Sequence, residues 1–438
     1  MRIADRREAV NAIGPGHIWT IGSLRCSTIA AVSATAGRVV VVGIGADGFA
    51  GLSETIRSTV LAADAVLGGA RQLALLPDAP GQERHPWPSP LRAGLPALLA
   101  ELTGRTVVAL ASGDPLLSGV GATLIDLLGA DAVTVLPAVS SVSLARARLG
   151  WPAETTAVVR AGDVHAVLRE LAPGRRVLVL SADETTPALL AVLLVERGYG
   201  ASAMSVLGDL GGDDETRWDG TAATYPTFEG PAPRLNIVAL ELAGPLATGW
   251  VPGLPDQAFE HDGQLTKRDL RAAALARLTP VPGQLLWDVG AGAGSVGIEW
   301  LRAHPSCRAI AVEGNPERAQ RITRNAANLG VPALQVVTGH APTALTDLPA
   351  PDAVFIGGGL TTPGTLDACL QALKPGGRLV AHGVTLQTEA VLAQAYTEHG
   401  GELTRIHVEH AAPLGTFTGW TPARAVTQWA FTVPGARP

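Results

Sequence analysis

Leu285-Leu286-Trp287-Asp288-Val289-Gly290-Ala291-Gly292-Ala293-Gly294-Ser295-Val296-Gly297-Ile298-Glu299-Trp300 is the stretch that decides the fold. The apolar run Leu285 to Val289 predicts a parallel strand covered on both faces. Glycines then alternate at 290, 292 and 294, and a helix follows. With no Cβ in the way, such a turn lets backbone N–H groups and the helix N-terminus approach a ligand. A dinucleotide fingerprint requires G-x-G-x-x-G. Here the third glycine falls one residue early, and Asp288 stands just before the turn. Arg308 to Val312 predicts a second strand ending in Glu313, 23 residues after Gly290. An acidic side chain there is placed to accept hydrogen bonds from both hydroxyls of a ribose. Asn315-Pro316 supplies an N-cap and a first-turn proline for a helix running to Asn328. A nucleotide-free Rossmann domain or an NAD site would share parts of this pattern.

D-x-G-x-G-x-G resembles motif I of the class I S-adenosylmethionine-dependent methyltransferases. The cofactor of that family has no pyrophosphate, and its amino-acid end and ribose pack against the turn. Upstream, Leu254-Pro255-Asp256 with Phe259 leads into Leu265-Thr266-Lys267-Arg268-Asp269-Leu270-Arg271. Thr266 can cap the helix that follows. Lys267 and Arg271 are i,i+4 neighbours with Arg268 beside them, a basic cluster that fits either an anionic ligand or a solvated helix face. Downstream stand Gly339-His340-Ala341-Pro342, Phe355-Ile356-Gly357-Gly358-Gly359 and Leu373-Lys374-Pro375-Gly376-Gly377. Together these blocks resemble the C15-methyltransferases of corrin biosynthesis over residues 253 to 438. The resemblance implies S-adenosylmethionine contacts from Thr266, Asp288, Gly290, Ala291, Gly292, Ala293, Gly294, Glu313 and Ala341. Gly357 to Gly359 stand where many amino methyltransferases carry Asn/Asp-Pro-Pro-Tyr, which suits a bulky substrate and methylation at carbon. Glu402 to His410 and Ala425 to Val433 alternate, as a terminal antiparallel hairpin would.

The first half opens on Arg38 to Val42, a β-branched run entering Gly43-Ile44-Gly45. G-x-G-x-x-G alone is weak evidence. The next strand, Ala65 to Gly68, ends in glycines rather than an acid, which argues against NAD. Thr106 to Ala111 predicts a buried strand running into the turn Ser112-Gly113-Asp114-Pro115. Val133 to Leu136 predicts another, and Ser140-Ser141 leads a helix. These pieces, with Gly208-Asp209-Leu210-Gly211, Glu215 and Asn236 to Leu240, resemble the tetrapyrrole methylase (class III methyltransferase) family. The resemblance implies two α/β lobes holding S-adenosylmethionine, with Gly43, Gly45, Gly113, Asp114, Pro115, Ser140 and Ser141 as cofactor contacts. The alternative for Asp114 is a plain turn aspartate. Ala138 departs from the family, which usually has glycine there.

The expected architecture is therefore α/β throughout: a two-lobed tetrapyrrole methylase fold over 38–244, a linker at 245–255 rich in Gly and Pro, and a Rossmann-like class I methyltransferase domain over 256–438. Residues 1–37 form an extension for which no fold is expected. A tetrapyrrole methylase fused to a C15-type domain resembles the bifunctional C5,15-methyltransferases of corrin biosynthesis, which also decarboxylate. That implies one S-adenosylmethionine in each half, a tetrapyrrole substrate methylated at C5 and C15, and loss of CO₂ from the ring C acetate. It implies no metal held by the protein.

Composition sets limits. The chain has 438 residues, 47% of them apolar, enough for two or three domains. Its net charge of −6 and its two lysines, Lys267 and Lys374, argue against nucleic acid as partner. An RNA methyltransferase, or one active domain joined to a degenerate scaffold, are the competing readings. Cys26, Cys307 and Cys369 show no metal-ligand spacing and suggest a reducing cytoplasm. No apolar run approaches the roughly 18 residues of a membrane helix. Substrate carboxylates need guanidinium partners, and Arg268 and Arg271 are the candidates. No catalytic acid is identified; His340 and His382 are possible, and each also reads as structural. No helical lid insertion is visible, so the linker region, another subunit or the first domain must cover the substrate; a homo-oligomer is expected.

Overall fold

The computed structural model describes residues 38–227, 230–245 and 249–435. The extension 1–37, with Cys26, and residues 246–248 of the linker lie outside the described residues. Contacts divide the described chain into two compact units: 38–44 with 48–138, and 45–47 with 139 onward.

The first unit is a parallel sheet of β1 (Val39–Ile44), β2 (Ala65–Gly68), β3 (Glu83–Pro86), β4 (Val107–Ser112) and β5 (Val133–Leu136), in the order β3-β2-β4-β1-β5. β1, β2 and β4 are buried nearly throughout, which is why they read as unbroken apolar runs.

The second unit contains two larger sheets. The first joins β6 (Thr156–Arg160), β7 (Arg176–Leu180), β8 (Ala203–Gly208), β9 (Thr216–Thr221) and β10 (Asn236–Glu241) as β6-β7-β10-β8-β9. Only β6 and β7 run parallel. The helix Ser141–Leu149 packs on it, capped by Ser140, whose Oγ accepts from the Ser143 N–H.

The other sheet comprises β11 (Leu285–Val289), β12 (Arg308–Glu313), β13 (Gln335–Thr338), β14 (Ala353–Ile356), β15 (Arg378–Gly383), β16 (Glu402–Ile406) and β19 (Val426–Thr432). Its order is β13-β12-β11-β14-β15-β19-β16. β11 to β15 are parallel; β19 is antiparallel to both neighbours. The order reverses between β11 and β14, so a crevice opens at the carboxyl ends there. The expected terminal hairpin is present as β16 and β19, but its first strand stops at Ile406 rather than His410. A separate ribbon of β17 (Glu409–Leu414) and β18 (Phe417–Pro422) is inserted before β19. It exposes Leu414, Phe417 and Trp420.

Candidate functional site

The crevice is a cavity of about 1070 Å³. One side is the glycine turn. Gly290, Gly292 and Gly294 all hold left-handed backbone, at φ +66°, +59° and +75°. A Cβ on Gly290 would lie 2.6 Å from the backbone of Gly358, and one on Gly292 2.8 Å from the Gln264 carbonyl oxygen. The turn is glycine because other backbone passes there, and Gly290 and Gly292 line the cavity without side chains, on either side of Ala291.

Ala293, Gly294 and Asp288 are not among the lining residues. Gly294 instead leaves room for Ile322 of the helix Pro316–Asn328; a Cβ would come within 2.7 Å of it. Asp288 is 1% exposed, and its Oδ2 accepts from the Gly297 N–H at 2.9 Å. It braces the helix Ser295–Ala303 from beneath the turn. Burial, with the nearby Glu313 charge, pushes its carboxyl up to about 7 against the Gly297 hydrogen bond.

Glu313 ends β12 at the cavity wall, 6% exposed. Its Oε2 accepts from Gly292 N–H at 2.7 Å and its Oε1 from Asn315 N–H at 2.9 Å. Each carboxylate oxygen has lone-pair capacity for a further donor. Asn315 caps the next helix through its own Oδ1, and Pro316 opens it, as the sequence predicts.

Thr266 lines the cavity but caps nothing. The N-cap of the helix Arg268–Leu278 is Lys267, and the cap hydrogen bond comes from Asp256, whose Oδ1 accepts from Arg268 N–H at 3.0 Å. Arg268 is exposed on the cavity wall. Arg271 is not: it is wholly buried and does not line the cavity. Its Nε donates to Glu299 at 2.5 Å, and its other nitrogens donate to Asp256 and to the carbonyls of Thr266 and Leu254. Its guanidinium also stands over the Phe259 ring. Glu299 accepts in turn from the Gly253 and Leu254 N–H groups. The expectation that Arg271 binds substrate is therefore corrected. A buried guanidinium with all three nitrogens engaged holds the 253–259 segment onto the domain. The lone acid Glu299 inside an apolar helix was the sequence signal for this pairing.

Ala341 and His340 line the same cavity. His382, on β15, lines it too, stacked edge-on against Phe355. With the Gln428 amide turned so that its nitrogen donates to His382 Nε2, its oxygen accepts from Arg277. Burial pushes the His382 pKa down to about 4, so near pH 7 the ring is neutral and a poor proton donor. Sequence reading missed the far end of the cavity, where Val408, His410, Ala423 and Arg424 enter from the root of the β17–β18 ribbon.

In the first unit, Gly43 and Gly113 meet at the carboxyl ends of β1 and β4. A Cβ on Gly43 would fall 2.1 Å from the Gly113 carbonyl oxygen. Gly113 is left-handed at φ +59° and donates to the Ile44 carbonyl. Asp114 Oδ1 accepts from Leu116 N–H at 2.9 Å, the turn-aspartate geometry. The Pro115 carbonyl crowds Gly119 and Gly121. Gly45, Ser140 and Ser141 belong to the second unit.

Residues 38–226 match the family model for tetrapyrrole (corrin/porphyrin) methylases, and residues 257–433 match that for the precorrin methyltransferase domain. A Mycobacterium tuberculosis protein named precorrin-6Y C(5,15)-methyltransferase [decarboxylating] is 47% identical over 399 residues, covering 90% of this chain and 99% of its own. A Sinorhizobium protein of the same name is 46% identical over 397 residues, covering 90% and 95%. A Salmonella typhimurium cobalt-precorrin-6B C(15)-methyltransferase (decarboxylating) is 34% identical over 156 residues, covering 34% of this chain and 80% of its own.

Proposed function

The chain belongs to the precorrin-6Y C(5,15)-methyltransferase (decarboxylating) family, and from that premise we propose that its two halves divide the chemistry of that reaction. It is a methyltransferase of corrin-ring biosynthesis. In the proposal, residues 256–438 methylate C15 of precorrin-6B and release CO₂ from the ring C acetate, and residues 38–244 methylate C5. The observation that carries it is that, among the described residues, the cavity of about 1070 Å³ with the glycine turn and Glu313 is lined only by residues from Pro255 to Val426. A relative with the C15 and decarboxylation chemistry alone, matched by only 34% of this chain, supports the separation.

S-adenosylmethionine supplies the electrophilic methyl group, one molecule in each half. The residues present fit it: side-chain-free backbone at Gly290 and Gly292 and a buried carboxylate at Glu313 suited to paired ribose hydroxyls. Methyl transfer from a sulfonium is an in-line displacement, so alignment and exclusion of water are the protein's main tasks. Arg268 holds a substrate carboxylate. Val426 and the neutral His382, packed against the buried Phe355, give the cavity an uncharged stretch of wall. In the decarboxylation the carbon–carbon bond to the carboxylate breaks. Its electron pair passes into the conjugated macrocycle, and a proton then adds to the remaining methylene carbon.

No described helix is long and apolar enough to cross a membrane. A cytoplasmic location without nucleic acid as partner is part of the proposal. So is a homo-oligomer, which the exposed Leu414, Phe417 and Trp420 favour. The decisive experiment is incubation with precorrin-6B and S-adenosylmethionine followed by mass spectrometry. The expected product is two methyl groups heavier and one CO₂ lighter; an unchanged substrate sinks the proposal.

A further inference from the structure

Four cationic side chains, Lys267, Arg268, Arg318 and Arg424, line the cavity of the second unit. Two are already neutralised. Lys267 Nζ lies 3.6 Å from Asp256, and Arg318 Nε lies 2.8 Å from Asp262. Arg268 and Arg424 have no carboxylate in ion-pair range among the described residues, and both side chains belong to exposed residues. In a chain of net charge −6, two unneutralised guanidiniums lining one cavity mark it as a place for anions.

Topology explains how Arg424 arrives there. β19 runs antiparallel to β15 with Thr427 opposite Gly383, so it begins at the carboxyl edge of the parallel strands. Arg424 stands just before it, and the Ala423 N–H bond to the Val408 carbonyl fixes that root at 2.9 Å. The strand order places four inter-strand steps between β12, which carries Glu313, and β19. At about 4.8 Å per step, Arg424 lies on the order of 19 Å across the sheet from the cofactor end.

We propose that Arg424 is a specificity-determining residue that binds a non-reacting carboxylate of the substrate at the end of the cavity remote from Glu313. This rests on reading the cavity as a tetrapyrrole site. A bidentate guanidinium stabilises the ionised carboxylate it holds, so the group it binds is an anchor and not the one that leaves as CO₂. An anchor at one end fixes the rotation of the macrocycle in its plane. It therefore sets which meso carbon faces the methyl donor, a choice that alignment alone can enforce.

The test measures Arg424→Gln and Arg424→Lys against wild type with precorrin-6B. The glutamine variant should raise KM about 10- to 100-fold, the range a lost charge-assisted hydrogen-bonded pair produces. Its kcat should change far less, and its affinity for S-adenosylmethionine and its melting temperature should hold. Lysine should restore part of the loss, and the salt dependence of KM should weaken in the glutamine variant. An active wild type with unchanged KM in Arg424→Gln overturns the proposal alone. A wild type inert toward precorrin-6B overturns the tetrapyrrole reading and the proposal with it.

Discussion

Asp288 and Arg271 are the two residues whose chemistry is furthest from what their spacing suggested. Asp288 sits in the motif that announces a cofactor, yet its carboxyl faces the Gly297 N–H within the protein, and its Oδ1 has no partner among the described residues. Its folded pKa of about 7 lies above the ordinary carboxylate value near 3.9. The sign follows: its contribution to stability is complete below the unfolded value and is lost as pH rises through about 7. Asp288→Asn keeps an oxygen to accept from Gly297 without a charge. The variant should therefore melt with a flatter pH dependence than wild type between about pH 4 and 7, the window between the unfolded and folded pKa values. Parallel melting curves for the two proteins across that window would show that Asp288 does not titrate there. Arg271 teaches a related lesson. Helical spacing placed it one turn from Lys267, but spacing cannot say which face meets the core. That is decided by Glu299, 28 residues away, whose carboxylate offsets the cost of burying the guanidinium.

At the scale of elements, the sequence was most legible where a local rule and a long-range demand agreed. β11, β12 and the helix Pro316–Asn328 fall where apolar runs, the Asn315 cap and Pro316 place them. The β17–β18 ribbon did not, because its strands cover no core and so carry no clean alternation. Its one local signal was the two-residue turn Gly415-Thr416, with Gly415 at φ +61°. Missing the ribbon also hid Arg424, whose place in the cavity depends on the antiparallel return of β19. The glycine turn is the element on which cofactor binding depends. Gly290→Ala must accept both left-handed backbone and a Cβ 2.6 Å from Gly358. Strain of about 1–3 kcal/mol should weaken S-adenosylmethionine binding in the second half by roughly 5- to 150-fold. Calorimetry giving wild-type affinity for Gly290→Ala would remove the turn from the cofactor site.

For the whole molecule, the question is how far residues 256–438 can act alone. Their two principal cores draw only on residues 254 to 433, so the domain carries what it needs to fold. Its contacts with the lobe before it include several polar ones. Arg197 donates to the Asn328 side chain at 2.8 Å, and Trp250 donates its indole N–H to the Arg169 carbonyl while facing the Arg175 guanidinium. Gly330 lets the backbone of Arg169 pass; a Cβ there would lie 2.2 Å from its nitrogen. The segment after this junction is pinned by Glu299 and Arg271, so a fragment beginning at Gly253 keeps the brace but loses the lobe. It should fold with a lower melting temperature than the same domain in the full chain. One rigid cavity can align only one meso carbon with a sulfonium methyl. The 253–438 fragment with precorrin-6B and S-adenosylmethionine should therefore give a product one methyl group heavier and one CO₂ lighter, and the full chain should add the second methyl. Mass spectrometry of the two reactions decides it. A fragment that methylates without decarboxylating, or that is inert while residues 1–252 do both, assigns the chemistry the other way.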